Sequence, residues 1–269
     1  MAHESPTQPT LPALLAGFLN ERAQAQIDGL ADFDGDAEVT PYDAGPVQPI
    51  DAKLAWTEAV AAANYFHPSV DSEQWPVPPH WASLVAAQEP VIALAFCLGN
   101  FPQLVRNFHV ILQNFHAADF SLSAGSAVSV PALVDWAQQV AAKKQWAQML
   151  LALGSLRLAK NFAEAEAFVK INDGSIPPAW RAGWDNEKAA LAWHQGRTDT
   201  ARALWNAMEP CVPVLFNRGM AELFGGDAAQ GRATLDGVVG QLPETSAWHH
   251  LARLYVLLGS GPRSAAHRG

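Results

Sequence analysis

The stretch "AWHQGRTDTARALW" occupies residues 192–205. It carries a His, an Arg, two Thr and an Asp, all groups able to do chemistry. Its layout reads as the corner of a helical hairpin. Gly196-Arg197 is the turn, because Gly reaches the left-handed backbone that ends a helix at no steric cost. Thr198 reads as the N-cap of the next helix, with Asp199 favourable in its first turn. Ala201 is small enough for a close helix crossing, and Trp205 is placed to pack one turn later. A connection this short makes the two helices antiparallel neighbours.

The same layout recurs. Helical periodicity pairs 146–159 with 162–172, 180–195 with 198–209 and 214–225 with 228–241, followed by a helix over 246–258. The turns fall at Lys160-Asn161, Gly196-Arg197, Gly226-Asp227 and Gly259-Ser260, at spacings of 36, 30 and 33 residues. Five residues after each of the first three turns stands Ala165, Ala201 or Gly231. Seventeen residues after them stand Pro177, Pro213 and Pro243, which end the second helix or start the connector. Pro210 shortens the helix that follows Thr198.

This pattern resembles the tetratricopeptide repeat, whose period is 34 residues. The best match is "WHHLARLY", where Trp248, Leu251, Ala252 and Tyr255 follow the W-x2-L-G-x2-Y pattern with Ala in place of Gly. Gly219, Gly226, Leu235, Val238 and Pro243 fit the unit before it. The first unit lacks Gly at its turn. The resemblance covers about residues 145–260, extending at most to a hairpin at 90–115. It implies an all-α fold of stacked hairpins forming a right-handed solenoid.

By the same resemblance, the first helix of each pair lines a concave face. The inward positions lie two, three, six and ten residues before each turn. These include Leu150, Gly154, Arg157 and Leu158, then Asn186, Ala190, Trp193 and His194. Next come Phe216, Met220, Leu223 and Phe224, then His249, Arg253, Val256 and Leu257. The expected partner-binding groove is Arg157, Asn186, Trp193, His194, Phe216, Met220, Phe224, His249 and Arg253. The set is apolar for a solvated groove. Either it binds an apolar or aromatic peptide, or the N-terminal half packs into it. The Lys/Asn/Arg set that clamps a peptide carboxylate in some members of the family is not evident.

The N-terminal half is less regular. Residues 1–10 read as a flexible end, and 11–128 as an irregular helical region with an acidic linker at 32–51. Residues 129–260 read as the repeats, and 261–269 as a flexible tail. Helices are expected at 11–30, 52–66, 82–88 and 131–144. A hairpin of helices is expected at 90–98 and 102–115, turning at Gly99-Asn100. "SLSAGSAVS" (121–129) is the boundary.

Composition bounds the rest. The 269 residues are 49% hydrophobic and 16% charged, against about 25% charged in average soluble domains. Such a chain can bury a large core. Net charge is −9, which disfavours nucleic-acid binding. Residues 1–127 carry 14 acidic and 3 basic side chains, and the remainder is mildly basic. Two cysteines, Cys97 and Cys211, make no disulfide framework and fit a reduced, cytoplasmic setting. Residues 11–19 resemble a signal-peptide core, but Glu4 and not a basic residue precedes them. No run is long enough to span a bilayer.

No constellation carries chemistry. Asp32, Asp34, Asp36 and Asp43 have partial calcium-loop spacing, but Ala37 replaces the obligatory Gly, Pro41 interrupts, and Asp replaces the final Glu. His249 and His250 point to different helix faces, and His194, His67 and His80 read as surface or turn histidines. His109 and His116 share a face without a carboxylate. Cys97 reads as an inert thiol in an apolar helix. No phosphate loop or nucleophile elbow occurs. The expectation is a non-enzymatic scaffold for a protein or peptide, without metal, cofactor, nucleic acid or membrane. The alternative is a structural accessory subunit whose groove its own N-terminal half fills. Homo-oligomerisation stays open.

Overall fold

The computed structural model describes residues 51–67, 75–86, 93–102 and 131–259. The expected helix at 11–30, all but the first residue of the helix expected at 102–115, the acidic loop at 32–43, His109, His116 and the 121–129 connector lie outside them.

The described residues are all-helical, without strand. In chain order the helices are α1 (Ala52–Asn64), α2 (Trp81–Ala86), α3 (Pro131–Ala142), α4 (Trp146–Leu158), α5 (Phe162–Asn172), α6 (Pro178–His194), α7 (Thr198–Ala207), α8 (Val212–Phe224), α9 (Ala228–Val239) and α10 (Ala247–Leu258). A 3-10 turn (Asp173–Ser175) leads from α5 to α6. None is long and apolar enough to cross a membrane.

Sequential helices pack as hairpins: α3 on α4, α4 on α5, α6 on α7, and α8 on α9. All four turns use one device. Lys144, Lys160, Gly196 and Gly226 take the left-handed conformation, with φ of 52°, 56°, 75° and 98°. The next residue's N–H returns to the carbonyl five places earlier: Gln145 to Val140, Asn161 to Leu156, Arg197 to Ala192 and Asp227 to Glu222. This is the Schellman closure. A lysine therefore performs at two turns what glycine performs at the others. Arg197, not Thr198, caps α7, and no side chain bonds there. Asp227 does cap α9, accepting from the Gln230 N–H.

The small residues mark close crossings. Ala165 and Ala201 are fully buried. A Cβ on Gly231 would lie 2.4 Å from the backbone N of Leu223 and 2.7 Å from the Gly219 carbonyl. The α8–α9 hairpin closes only because both positions are bare.

One departure governs everything else. Residues 93–98, expected in a helix, are not helical. They form a strap, buried along its whole length, running past α10, α8, α6 and α4. The apolar run "IALAFCLGN" fits a buried extended segment as well as a buried helix, and periodicity cannot separate them. Here the partners decide, because helix side chains take up the strap's backbone groups. Strap and helices share one hydrophobic core, while Phe101 joins Ala55, Ala59, Trp81, Val85 and Leu158 in a second.

Candidate strap-binding groove

Four helices each present a polar side chain to the strap. The Tyr255 hydroxyl of α10 accepts the Leu94 N–H at 2.9 Å. Asn217 of α8 accepts the Phe96 N–H at 2.6 Å and donates to the Phe96 carbonyl at 3.0 Å. Asn186 of α6 donates to the same carbonyl at 3.1 Å. Glu187 accepts the Leu98 N–H at 2.6 Å, and Arg157 of α4 donates to the Leu98 carbonyl at 2.5 Å. Trp193 Nε1 donates to the Ala93 carbonyl at 2.9 Å. Leu94, Phe96 and Leu98 alternate, which is the period of an extended chain. The side chains stand where a neighbouring strand's backbone would.

These groups are themselves braced. Asn186 Oδ1 accepts from Trp205 Nε1 at 3.0 Å and from Asn217 Nδ2 at 2.9 Å. Arg157 contacts Glu187 at 3.2 Å and donates to Asn100 Oδ1 at 2.7 Å. Asn100 Nδ2 folds back onto the Ala95 carbonyl at 2.8 Å. Arg157, Asn186, Glu187, Asn217 and Asn100 are all buried. Gly154 lets the strap approach α4, since a Cβ there would lie 2.8 Å from the Leu98 carbonyl oxygen.

The apolar half of the groove is an aromatic box around Phe96. Its ring stacks on Trp248 at 4.1 Å and meets Phe216 and Tyr65 edge-on at 5.6 and 5.7 Å. Such geometry suits an aromatic anchor.

Electrostatics follow from burial. Desolvation pushes the Glu187 carboxyl up, against the Arg157 charge and the Leu98 N–H that favour its ionised form. Desolvation works against the Arg157 charge, the paired Glu187 carboxylate favours it, and the net direction is up. Burial pushes the Cys97 thiol far up, so it is no thiolate nucleophile despite the nearby guanidinium. Burial, then the charges of Arg157 and Lys160, hold His194 well below the usual histidine range.

The expected groove residues divide. Arg157, Asn186 and Trp193 bond the strap backbone, and Phe216 packs on Phe96. His194 Nε2 lies 3.4 Å from Asn100 Nδ2. Met220 is wholly buried, and Phe224 meets Tyr255 edge-on. Arg253 is exposed. His249 is buried and not a surface group. His67 also departs from a solvated reading, because its ring stacks on Trp180 at 4.1 Å. Glu187, Asn217 and the strap-binding role of Tyr255 escaped the sequence reading. The available signal was two polar residues, Glu187 and Asn217, inside otherwise buried helix faces. No group of three or more His, Cys, Asp or Glu side chains among the described residues is disposed to hold a metal ion.

Comparison of the chain with protein-family models, curated proteins and solved structures found no match.

Proposed function

We propose that the chain is a non-enzymatic helical-repeat module of tetratricopeptide type, a right-handed solenoid closed on itself. Its concave face holds its own strap, and the chain serves as a structural accessory subunit. Three features support the repeat reading. The turns at Lys160, Gly196 and Gly226 share one closure. Small residues stand at the hairpin crossings. The positions two to ten residues before the turns meet the strap. The two free thiols, Cys97 and Cys211, fit a cytoplasmic setting.

The observation that carries the closed reading is the set of seven side-chain hydrogen bonds to the backbone of Ala93, Leu94, Phe96 and Leu98. An outside partner on this face would have to expel the strap. That would strip partners from two buried amides and a buried ion pair, at roughly 1–3 kcal/mol for each orphaned group. Hydrogen exchange tests the reading. The amides of Leu94, Phe96 and Leu98 should exchange as slowly as the interior of α8. Fast exchange there, with α8 still protected, would refute a filled groove.

A further inference from the structure

Asn100 closes the strap. It stands in the tight turn that follows residues 93–98, where its N–H returns to the Cys97 carbonyl at 3.4 Å and Gly99 takes a φ of 84°. Its side chain is buried and meets three partners. Oδ1 accepts from Arg157 at 2.7 Å, Nδ2 donates to the Ala95 carbonyl at 2.8 Å, and Nδ2 lies 3.4 Å from His194 Nε2.

The first two partners fix the orientation of the amide. An arginine can only donate, so it requires Oδ1, and a carbonyl can only accept, so it requires Nδ2. Turning the amide over would set donor against donor and acceptor against acceptor. The second hydrogen of Nδ2 then faces His194 Nε2. That nitrogen must carry a lone pair, which puts the single ring proton on Nδ1. A second ring proton would set N–H against N–H2 at the end of a chain of donors that starts at Arg157.

The surroundings act in the same direction. Burial, then the positive charges of Arg157 and of Lys160 in the turn after α4, disfavour a charged His194. Glu187 of α6 is paired with Arg157, and the Cys97 thiol of the strap is neutral. Glu166 of α5 is taken up by Gln195 and Arg197, and Asp199 of α7 is exposed.

We infer that His194 is an acid-operated latch on the strap, holding the turn at 97–100 closed while its ring is neutral and releasing it when the ring is protonated. The inference rests on the closed-groove reading, since only a seated strap can be released. Tyr255 and Asn217 hold Leu94 and Phe96 independently of His194, so the release is confined to the end of the strap. The open form takes up the proton near the ordinary value of 6.5 and the closed form only well below it. Opening is therefore favoured as pH falls below 6.5, by up to about tenfold per pH unit.

Two measurements on the full-length protein test the latch, both by NMR. Ring nitrogen shifts at pH 7 should show His194 with its proton on Nδ1. A proton on Nε2 overturns the latch. Exchange protection of the backbone and side-chain amide hydrogens of Asn100, corrected for the intrinsic pH dependence of exchange, should fall up to about tenfold per pH unit from pH 6.5 to 5. Phe96, and Met220 inside α8, should keep theirs. In His194→Gln, whose side-chain carbonyl accepts at every pH, the fall should disappear. No fall in wild type, an equal fall at Met220, or an unchanged fall in His194→Gln overturns the latch and leaves the closed groove standing. Both wild-type measurements decide without the variant. Fast exchange of Phe96 at pH 7, with Met220 protected, overturns the closed groove and the latch together.

Discussion

Asn217 grips Phe96 by both of its backbone groups, its Oδ1 accepting the N–H at 2.6 Å and its Nδ2 donating to the carbonyl at 3.0 Å. A side-chain amide has the donor and acceptor of a peptide unit, so one residue replaces a strand neighbour. The same Nδ2 lies 2.9 Å from Asn186 Oδ1, which ties α8 to α6 across the strap.

Asn217→Ala should therefore cost about 1–3 kcal/mol, with the Phe96 N–H left unpaired in a buried setting and its carbonyl left to Asn186 alone. Asn217→Asp should cost at least as much, because a carboxylate oxygen then faces the Phe96 carbonyl. Urea unfolding of both variants measures this. A loss below about 1 kcal/mol for Asn217→Ala would mean that water replaces the amide.

The hairpins were legible because helix ends carry local chemistry. Gly196 and Gly226 adopt the left-handed turn their identity suggested, and Ala201 and Trp205 are fully buried as their spacing required. The strap was not legible, because "IALAFCLGN" is apolar without period and its partners lie 57 to 161 residues away. Asn186 was placed by register alone, while Asn217 stands one residue past an inward position. Long-range pairing by side chains leaves no periodic trace.

Arg157 and Glu187 form a buried ion pair at 3.2 Å that also serves the strap backbone. Removing one member leaves a buried charge, so Arg157→Met should cost about 3–5 kcal/mol. Adding Glu187→Gln keeps an acceptor for the Leu98 N–H and removes the stranded charge. The double variant should recover a large part of the loss. Strict additivity in a double-mutant cycle would mean that the two residues act separately.

Gly231 and Gly237 sit on the same helix and should respond oppositely to alanine. At Gly231 a Cβ meets the Leu223 backbone at 2.4 Å, so Gly231→Ala must separate α8 from α9. Gly237 has nothing within 4 Å, and Gly237→Ala should stabilise α9 by about 1 kcal/mol. Thermal melts of the two variants check the contrast. A neutral Gly231→Ala would show that the hairpin has slack.

His194 sets an acid limit. Its folded-state pKa lies well below the ordinary value of 6.5, through burial and then the charges of Arg157 and Lys160. Folding therefore excludes a proton that the unfolded chain binds. The stability His194 contributes is intact above pH 6.5 and is lost as pH falls toward its folded-state pKa, at up to about 1.4 kcal/mol per pH unit. Asp173 has the same sign, since bonds from Lys188 and Trp184 outweigh its desolvation and hold it below 3.8; its window lies lower. Glu187, pushed up by burial, has the opposite sign and favours folding where it is protonated. The difference between wild type and His194→Gln isolates the histidine. That difference should be flat above pH 7 and fall steadily from pH 6.5 to 5. A difference that is flat throughout would show that the imidazole protonates without cost, with solvent reaching its ring.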